Sequence, residues 1–159
     1  MANGNATLAA AERGIGAVYV GADVLNGSIR PFFSRYTVPA TGGPAIGEVI
    51  TWGRLPIGAR VLFGLLTCSA GAASSTINLG DAESATRYMA ATSVASAGNS
   101  TIVPATIANG GAGFIVQQGP APKFGPATVL DQGELRSVVA GAALAGGQTI
   151  DLLLFFSTP

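Results

Sequence analysis

Apolar and polar residues alternate with a period of two along several short segments of the chain, which predicts β-strands rather than helices. The segment Arg60–Cys68 is almost entirely apolar, so both faces of an extended strand carry large side chains. Such a strand is normally covered on both sides. The segment Thr76–Leu79 alternates Ile and Leu with Thr and Asn, as expected for one buried and one wet face. Between them, Ser69–Ser75 is small and flexible, and we expect a β-hairpin or a wider antiparallel connection.

Further strands are predicted on both sides of this region. In the first of them Phe33 and Arg35 share one face, Phe32 and Tyr36 share the other, and Pro31 suits a sheet edge. The last is apolar on both faces, so we expect it at the centre of a sheet or between the sheets of neighbouring copies. Short strands separated by Gly and Pro turns predict an all-β fold, an antiparallel β-sandwich or jelly roll. After Asp81, a short helical turn capped by Asp81 or Ser84 and a loop that leads into a strand near Tyr88–Val94 are equally compatible with the sequence. The other predicted strands are Ile29–Val38, Glu48–Leu55, Ser100–Ile107, Gly113–Gln118, Thr128–Leu130, Glu134–Ala140 and Thr149–Ser157.

The N-terminal residues 1–28 differ in character from the rest of the chain. They are rich in Ala, Gly and Asn and contain few sizeable apolar side chains, such as Tyr19 and Leu25. A segment of this composition does not bury enough surface to fold alone. We interpret residues 1–28 as an extended arm that becomes ordered on another surface, such as a second subunit, or else as a free tail. Residues 29–159 then form a single β-sandwich domain.

Charged side chains are sparse. They make up 10% of the 159 residues, with eight acidic and eight basic groups in balance, whereas an ordinary soluble domain has about 25%. Much of the surface is therefore small, neutral or apolar, which favours a subunit of an assembly over a free molecule. The zero net charge argues against direct nucleic-acid binding. No apolar run of about 18 residues predicts a membrane span, and the N-terminus lacks the pattern of a signal peptide.

Residues that carry common chemistry are few. The sequence has no His and a single Cys, Cys68, which removes the usual general base, the usual nucleophile pairs and a zinc cluster. Asp81 and Glu83 are the closest acidic pair, and they either begin a cation site, pair with Arg87 or lie in a solvated loop. We favour the loop, because two carboxylates fall well short of a calcium shell. We therefore expect no catalytic residue, no metal and no cofactor.

A few aromatic and arginine side chains are candidates for contacts with a partner. Trp52, Tyr36 and Phe124 would form a ligand platform if exposed, although aromatic residues in strands are more often core, and Phe124 lies in a Pro/Gly loop where it would anchor a partner. Four arginines in consecutive strands either gather into an interface patch or are solvated separately. The candidate partner-interface residues are Tyr19, Arg30, Arg35, Arg54, Arg60 and Phe124.

A series of motifs follows in a fixed order between about Phe32 and Gly98. An aromatic strand and a loop precede Val49-Ile50, and the motifs Leu55–Val61, Ile77–Asp81 and Tyr88–Gly98 follow. In this order they resemble a group of small tailed-phage head proteins. The C-terminal third of the chain is similar only in its strand-like character.

This resemblance implies a capsid-associated structural protein, a cement or decoration protein with a jelly-roll-like β fold and no enzymatic activity. Such proteins bind across joints between major capsid protein subunits on the exterior of the virion, and they form homodimers or homotrimers. The protein would be made in the cytoplasm of a bacterial host. Two alternatives remain open: a tail, fibre or head-fibre component, and a carbohydrate-binding β-sandwich module, which requires an exposed Trp52 or Tyr36.

Overall fold

The computed structural model describes residues 28–56, 58–82, 84–104 and 133–158. Within these ranges the chain forms strands and no helix, so the predicted all-β class is confirmed. The predicted strands Gly113–Gln118 and Thr128–Leu130 lie outside the described residues, as do residues 1–27 of the predicted arm. The described strands are β1 Ser28–Thr37, β2 Val49–Arg54, β3 Arg60–Cys68, β4 Thr76–Leu79, β5 Met89–Ser93, β6 Gly98–Ile102, β7 Glu134–Ala140 and β8 Thr149–Thr158.

The strands form two antiparallel four-stranded sheets that enclose one core. The first, which we call the β8 sheet, has the order β1-β8-β3-β6, and the second, the β7 sheet, has the order β2-β7-β4-β5. This arrangement confirms the predicted antiparallel β-sandwich. The jelly-roll arrangement stays an interpretation, with which these strand orders are compatible.

Of the two connections predicted between β3 and β4, the β-hairpin is wrong, because the two strands lie in different sheets. The segment Arg60–Cys68 pairs with β6 and β8, whereas Thr76–Leu79 pairs with β5 and β7 in the other sheet. The small residues between them carry the chain from one sheet to the other, and the buried hydroxyl of Ser75 donates to the carbonyl of Ala72 at 2.7 Å within this connection. Both strands contribute to the common core, Val61 and Leu66 from β3 and Ile77 and Leu79 from β4, as expected when two packed sheets share one core.

Two other placements follow the sequence pattern. The strand β1, which contains Pro31, lies at the edge of its sheet, and β8 lies between β1 and β3. On one face of β8, Ile150, Leu152 and Leu154 are fully buried, while Leu153 lies on the other face. The predictions of an edge strand and of a central C-terminal strand are both confirmed.

The core joins the inner faces of the two sheets around Trp52. This indole is buried, and its Nε1 donates to the hydroxyl of Ser137 on β7 at 2.7 Å. Tyr36 of β1 packs edge-on against it, with ring centroids 6.3 Å apart and an interplanar angle of 77°. A buried indole N–H needs a hydrogen-bond acceptor, so Ser137 allows the largest side chain of the chain to face the core.

Next to Trp52 the strand β2 carries a bulge that brings it close to β1. The register of β2 shifts between Thr51 and Gly53, and Gly53 has a φ of 144°, a conformation that side chains other than glycine rarely adopt. A Cβ at this position would lie 3.0 Å from the ring of Phe32. The hydroxyl of Ser34 donates to the carbonyl of Trp52 at 3.0 Å. These contacts hold the edges of the two sheets together.

Candidate partner interface

Apolar side chains line the outer face of the β8 sheet, which points away from the core. In the strand register Leu153 of β8 lies between Phe33 of β1 and Leu65 of β3, and Phe155 lies opposite Phe63. The rings of Phe63 and Phe155 stack with centroids 4.7 Å apart and an interplanar angle of 19°. We call these five side chains the apolar face. Its outermost members are well exposed, with exposed fractions of 61% for Phe33, 46% for Phe63 and 40% for Leu65.

The expectation that β3 is covered on both sides is not met within the described part of the chain. Val61 and Leu66 are buried in the core, whereas Phe63 and Leu65 face outward and are exposed. The physical reason is the number of layers, since a two-layer sandwich covers only one face of each sheet. The opposite sheet therefore does not cover the outward face of β3, which carries Phe63 and Leu65.

One border of the apolar face is an ion pair. Arg35 of β1 lies opposite Asp151 of β8, and its Nε and a terminal guanidinium nitrogen donate to the two carboxylate oxygens at 2.6 Å and 2.7 Å. These hydrogen bonds lower the pKa of Asp151 from its ordinary value and raise that of Arg35. The next residue across the sheet is the neutral Thr67 of β3. This border therefore neutralises its own charge.

The outer face of the β7 sheet is polar by comparison. Thr51 of β2 lies opposite Arg136 of β7, and the Nε of Arg136 donates to the carboxylate of Glu134 at 2.9 Å. The side-chain oxygen of Asn78 on β4 accepts a hydrogen bond of 2.7 Å from the backbone N–H of Val138. Val49, with an exposed fraction of 54%, is the most exposed large apolar residue on the strands of this sheet.

The structure does not bring the four arginines of the candidate interface together. Arg30 and Arg60 lie opposite neighbouring residues near the C-terminal end of β8. Arg54 ends β2, and the contacts between β1 and β2 place it at the same end of the sandwich. We call these three residues the arginine end. Arg35 lies further along β1 with Asp151, and the part of all four arginines in an interface stays a prediction. Tyr19 and Phe124 lie outside the described residues.

The acidic pair predicted near the end of β4 is only partly described. Asp81 forms an ion pair with Arg87, with 2.6 Å between Oδ2 and Nε, and its Oδ1 accepts a hydrogen bond of 2.9 Å from the backbone N–H of Ser84. Glu83 lies outside the described residues. The pairing of Asp81 with Arg87, one of the three readings of this site, is therefore confirmed. The described ranges contain no group of three or more His, Cys, Asp or Glu residues that could hold a metal ion.

Two other candidate side chains take structural positions. Cys68 is half-buried, its thiol donates to the carbonyl of Ser96 at 3.3 Å, and burial raises its pKa, so the reactive thiolate is disfavoured. The burial of Trp52 and its contact with Tyr36 exclude an exposed platform made of these two rings. The carbohydrate-binding alternative requires an exposed Trp52 or Tyr36, and of these two residues Trp52 is buried and Tyr36 is half-buried.

The chain shares its fold with chains from two phage capsids. One belongs to the capsid asymmetric unit of cyanophage Pam1, with a TM-score of 0.63, 23% sequence identity, and coverage of 84% of this chain and 87% of that chain. The other belongs to the capsid of Ralstonia phage GP4, with a TM-score of 0.53, 20% identity, and coverage of 84% and 86%. Identities this low show a common fold and nothing finer. No protein-family model matches the sequence, and no curated protein is similar to it.

The comparisons cover most of each chain, so the similarity concerns the whole sandwich and not one hairpin. The part of the chain that the structure describes has no helix with the length and hydrophobicity needed to cross a bilayer.

Proposed function

We propose that this protein is a structural component of a tailed-phage virion that decorates or cements the head. It binds on the capsid exterior across joints between major capsid protein subunits. The observation that supports a role in an assembly is the apolar face, which the described part of the two-layer fold leaves open in a chain with 10% charged residues. Contiguous exposed apolar surface of this kind marks an interaction site.

The shared fold supports this setting. Both similar chains come from structures described as phage capsids, and the resemblance of the segment between Phe32 and Gly98 leads to the same class of protein. A capsid repeats each contact many times by symmetry. Modest individual interfaces are therefore sufficient, because several linked contacts add to a much higher overall affinity.

The arginine end is the surface that we assign to the major capsid protein. Arg30 is exposed on the edge strand, and Arg54 and Arg60 end or begin the neighbouring strands. The planar guanidinium group pairs with carboxylates in a fixed two-pronged geometry, so it suits a contact with acidic side chains across a joint. Tyr19 and Phe124 remain candidates for apolar anchors in the same contact. The protein also associates with itself as a homodimer or homotrimer, and it acts without catalysis or a cofactor.

Binding to heads that lack the protein tests the proposal. Purified full-length protein is mixed with such heads, the heads are pelleted, and the bound protein is quantified against concentration. We expect saturable binding at a fixed ratio of copies to capsid protein, and heads that resist heat or low salt better after binding. A protein that stays in the supernatant at every concentration and leaves head stability unchanged contradicts the proposal.

A pair of charge variants localises the contact. Arg30→Gln removes one positive charge at the arginine end, and Thr51→Glu makes the same change in net charge on the outer face of the β7 sheet, opposite Arg136. We expect Arg30→Gln to weaken binding to heads roughly 10-fold, in line with the loss of one charged hydrogen-bonding partner, and Thr51→Glu to bind as the wild type does. Equal weakening by both variants would show that net charge, rather than the arginine end, governs binding.

A further inference from the structure

We infer that the apolar face binds the same face of a second copy of this chain, with the two β8 sheets packed face to face around a two-fold axis. The inference rests on the proposed function for its setting in a capsid, and it names the partner of that face. The arginine end then remains available for the capsid protein.

The first argument is the amount of apolar surface that a lone molecule exposes. Phe33 and Phe63 are 61% and 46% exposed, and with about 150–250 Å² for an aromatic side chain they alone expose roughly 200 Å². Leu65 adds to the same surface at 40% exposed, next to Leu153 and the stacked ring of Phe155. Water contact with this surface is unfavourable by roughly 25 cal/mol for each Å² that a partner would cover.

The second argument is that the face approaches the size of one side of a stable dimer. The apolar face lies on three strands, β1 and β8 with 10 residues each and β3 with 9, and with about 3.4 Å per residue and about 4.8 Å per strand they cover roughly 500 Å². A standard interface buries about 800 Å² on each partner. Face-to-face packing of pleated sheets is also how protein sandwiches are built, with about 10 Å between the sheets. A second copy offers a matching pleated surface.

The third argument is charge. In a two-fold interface the same surface meets itself, so an unbalanced charge at its centre would face an identical charge. The centre of the apolar face has no charged side chain, and at its border Arg35 and Asp151 neutralise each other through two hydrogen bonds. Arg60 lies at the other border of the apolar face, where it is paired in register with Ser157 of β8. Arg60 begins β3 outside the five side chains of the apolar face, so its charge lies at the rim of the interface and not at the centre, where it would face its own copy.

Sedimentation velocity of the full-length chain over a range of concentrations tests the inference. We expect a dimer for the wild type and a monomer for Phe33→Glu, with dimer affinity reduced roughly 100-fold or more, because each dimer would bury two unpaired carboxylates. Val49→Glu is the matched control, since Val49 is 54% exposed on the other sheet, and we expect it to dimerise as the wild type does. Circular dichroism and thermal unfolding verify that each variant is folded, and Leu65→Glu provides a second variant on the apolar face.

Three results would overturn the inference. They are a wild type that is monomeric at all concentrations, an oligomer that survives both Phe33→Glu and Leu65→Glu, and equal disruption by Val49→Glu. The outcome is separable from the proposed function, because sedimentation needs no capsid. A monomeric wild type that still binds heads contradicts this inference, and with it the self-association, but leaves the proposed binding to the capsid standing. A dimer that ignores heads contradicts the proposed binding to the capsid and leaves this inference standing.

Discussion

The outer faces of the two described sheets carry different kinds of side chain, although the two sheets have the same number of strands. The strands β7 and β8 have the same burial pattern, in which fully buried and partly exposed residues alternate. The partly exposed positions of β7 include Glu134 and Arg136, whereas those of β8 include Leu153 and Phe155. The buried positions of both strands supply the core. The two strands therefore differ at their outward-facing positions, where the fold does not require apolar side chains.

Alternate residues of the same strand therefore have different roles. The inward-facing residues stabilise the fold, and the outward-facing residues are available for an interface. An antiparallel sheet with one solvated face ordinarily carries polar residues there, as the β7 sheet does. An exposed Phe or Leu adds little to folding, because it stays in contact with water in both the folded and the unfolded chain. The apolar face is thus better explained by association than by the stability of one chain.

The largest expected effect is the difference in stability loss between an inward-facing and an outward-facing leucine of β8. Leu154→Ala removes a fully buried side chain from the core and should lower the free energy of unfolding by about 2–5 kcal/mol. The neighbouring Leu153→Ala removes a half-buried side chain from the apolar face and should cost less, about 1 kcal/mol in dilute protein. Urea unfolding at low protein concentration measures both. Similar losses would show that the outer face is already covered within one chain.

A glycine pair tests how closely the central strands of the β8 sheet pack. A Cβ at Gly64 of β3 would lie 2.4 Å from the carbonyl oxygen of Leu153, whereas one at Gly98 of β6 would meet nothing within 4 Å. We expect Gly64→Ala to lower the unfolding free energy by about 1–3 kcal/mol, because the backbones must move apart. The control Gly98→Ala should be close to neutral. Thermal and urea unfolding provide the comparison, and a neutral Gly64→Ala would contradict the described packing.

A hydroxyl deletion tests the inner face of the β7 sheet. Ser137→Ala leaves the buried Nε1 of Trp52 without its acceptor, which should cost about 1–3 kcal/mol. Ser96→Ala, at an exposed loop position, is the control and should be neutral. Because Trp52 is the only tryptophan, its fluorescence reports the change directly. An unchanged emission spectrum and stability would exclude this hydrogen bond.

The smallest effect concerns the border of the apolar face. The hydrogen bonds from Arg35 hold the pKa of Asp151 below its ordinary value of 3.8. A lowered folded-state pKa contributes stability above the ordinary value, and this contribution is lost as the pH falls through the folded-state pKa. Asp151→Asn should therefore slightly lower the free energy of unfolding at neutral pH, and this free energy should then fall less steeply below about pH 4. Glu48→Gln serves as the control for the loss of a carboxylate. Identical pH profiles for wild type and Asp151→Asn would contradict the pairing.

The strands could be predicted from the sequence because their alternation is local. Glu134–Ala140 was predicted with the bounds that the structure shows, and Tyr88–Val94 contains the observed Met89–Ser93. The pairing of Arg60–Cys68 with strands far away in sequence could not be predicted, because turn residues between two strands do not reveal whether the chain returns to the same sheet. Only the strand order decides that, and it depends on contacts across the whole chain.

The candidate site was predictable only in part, for the same reason. The two-faced apolar strands β3 and β8 were visible in the sequence, but which of their faces stays open depends on how many layers the fold has. The separation of Arg35 from Arg30, Arg54 and Arg60 depends on positions along the strands and on the contact between β1 and β2. The contribution of Tyr19 and Phe124 stays a prediction.

Electron cryo-microscopy of virions that carry this protein tests the central claim most directly. The account predicts a β-sandwich on the outer surface of the head, with Phe33, Phe63 and Leu65 covered by a second copy and the arginine end against the capsid protein. A particle without the sandwich, or one in which the apolar face is open to solvent, would contradict it.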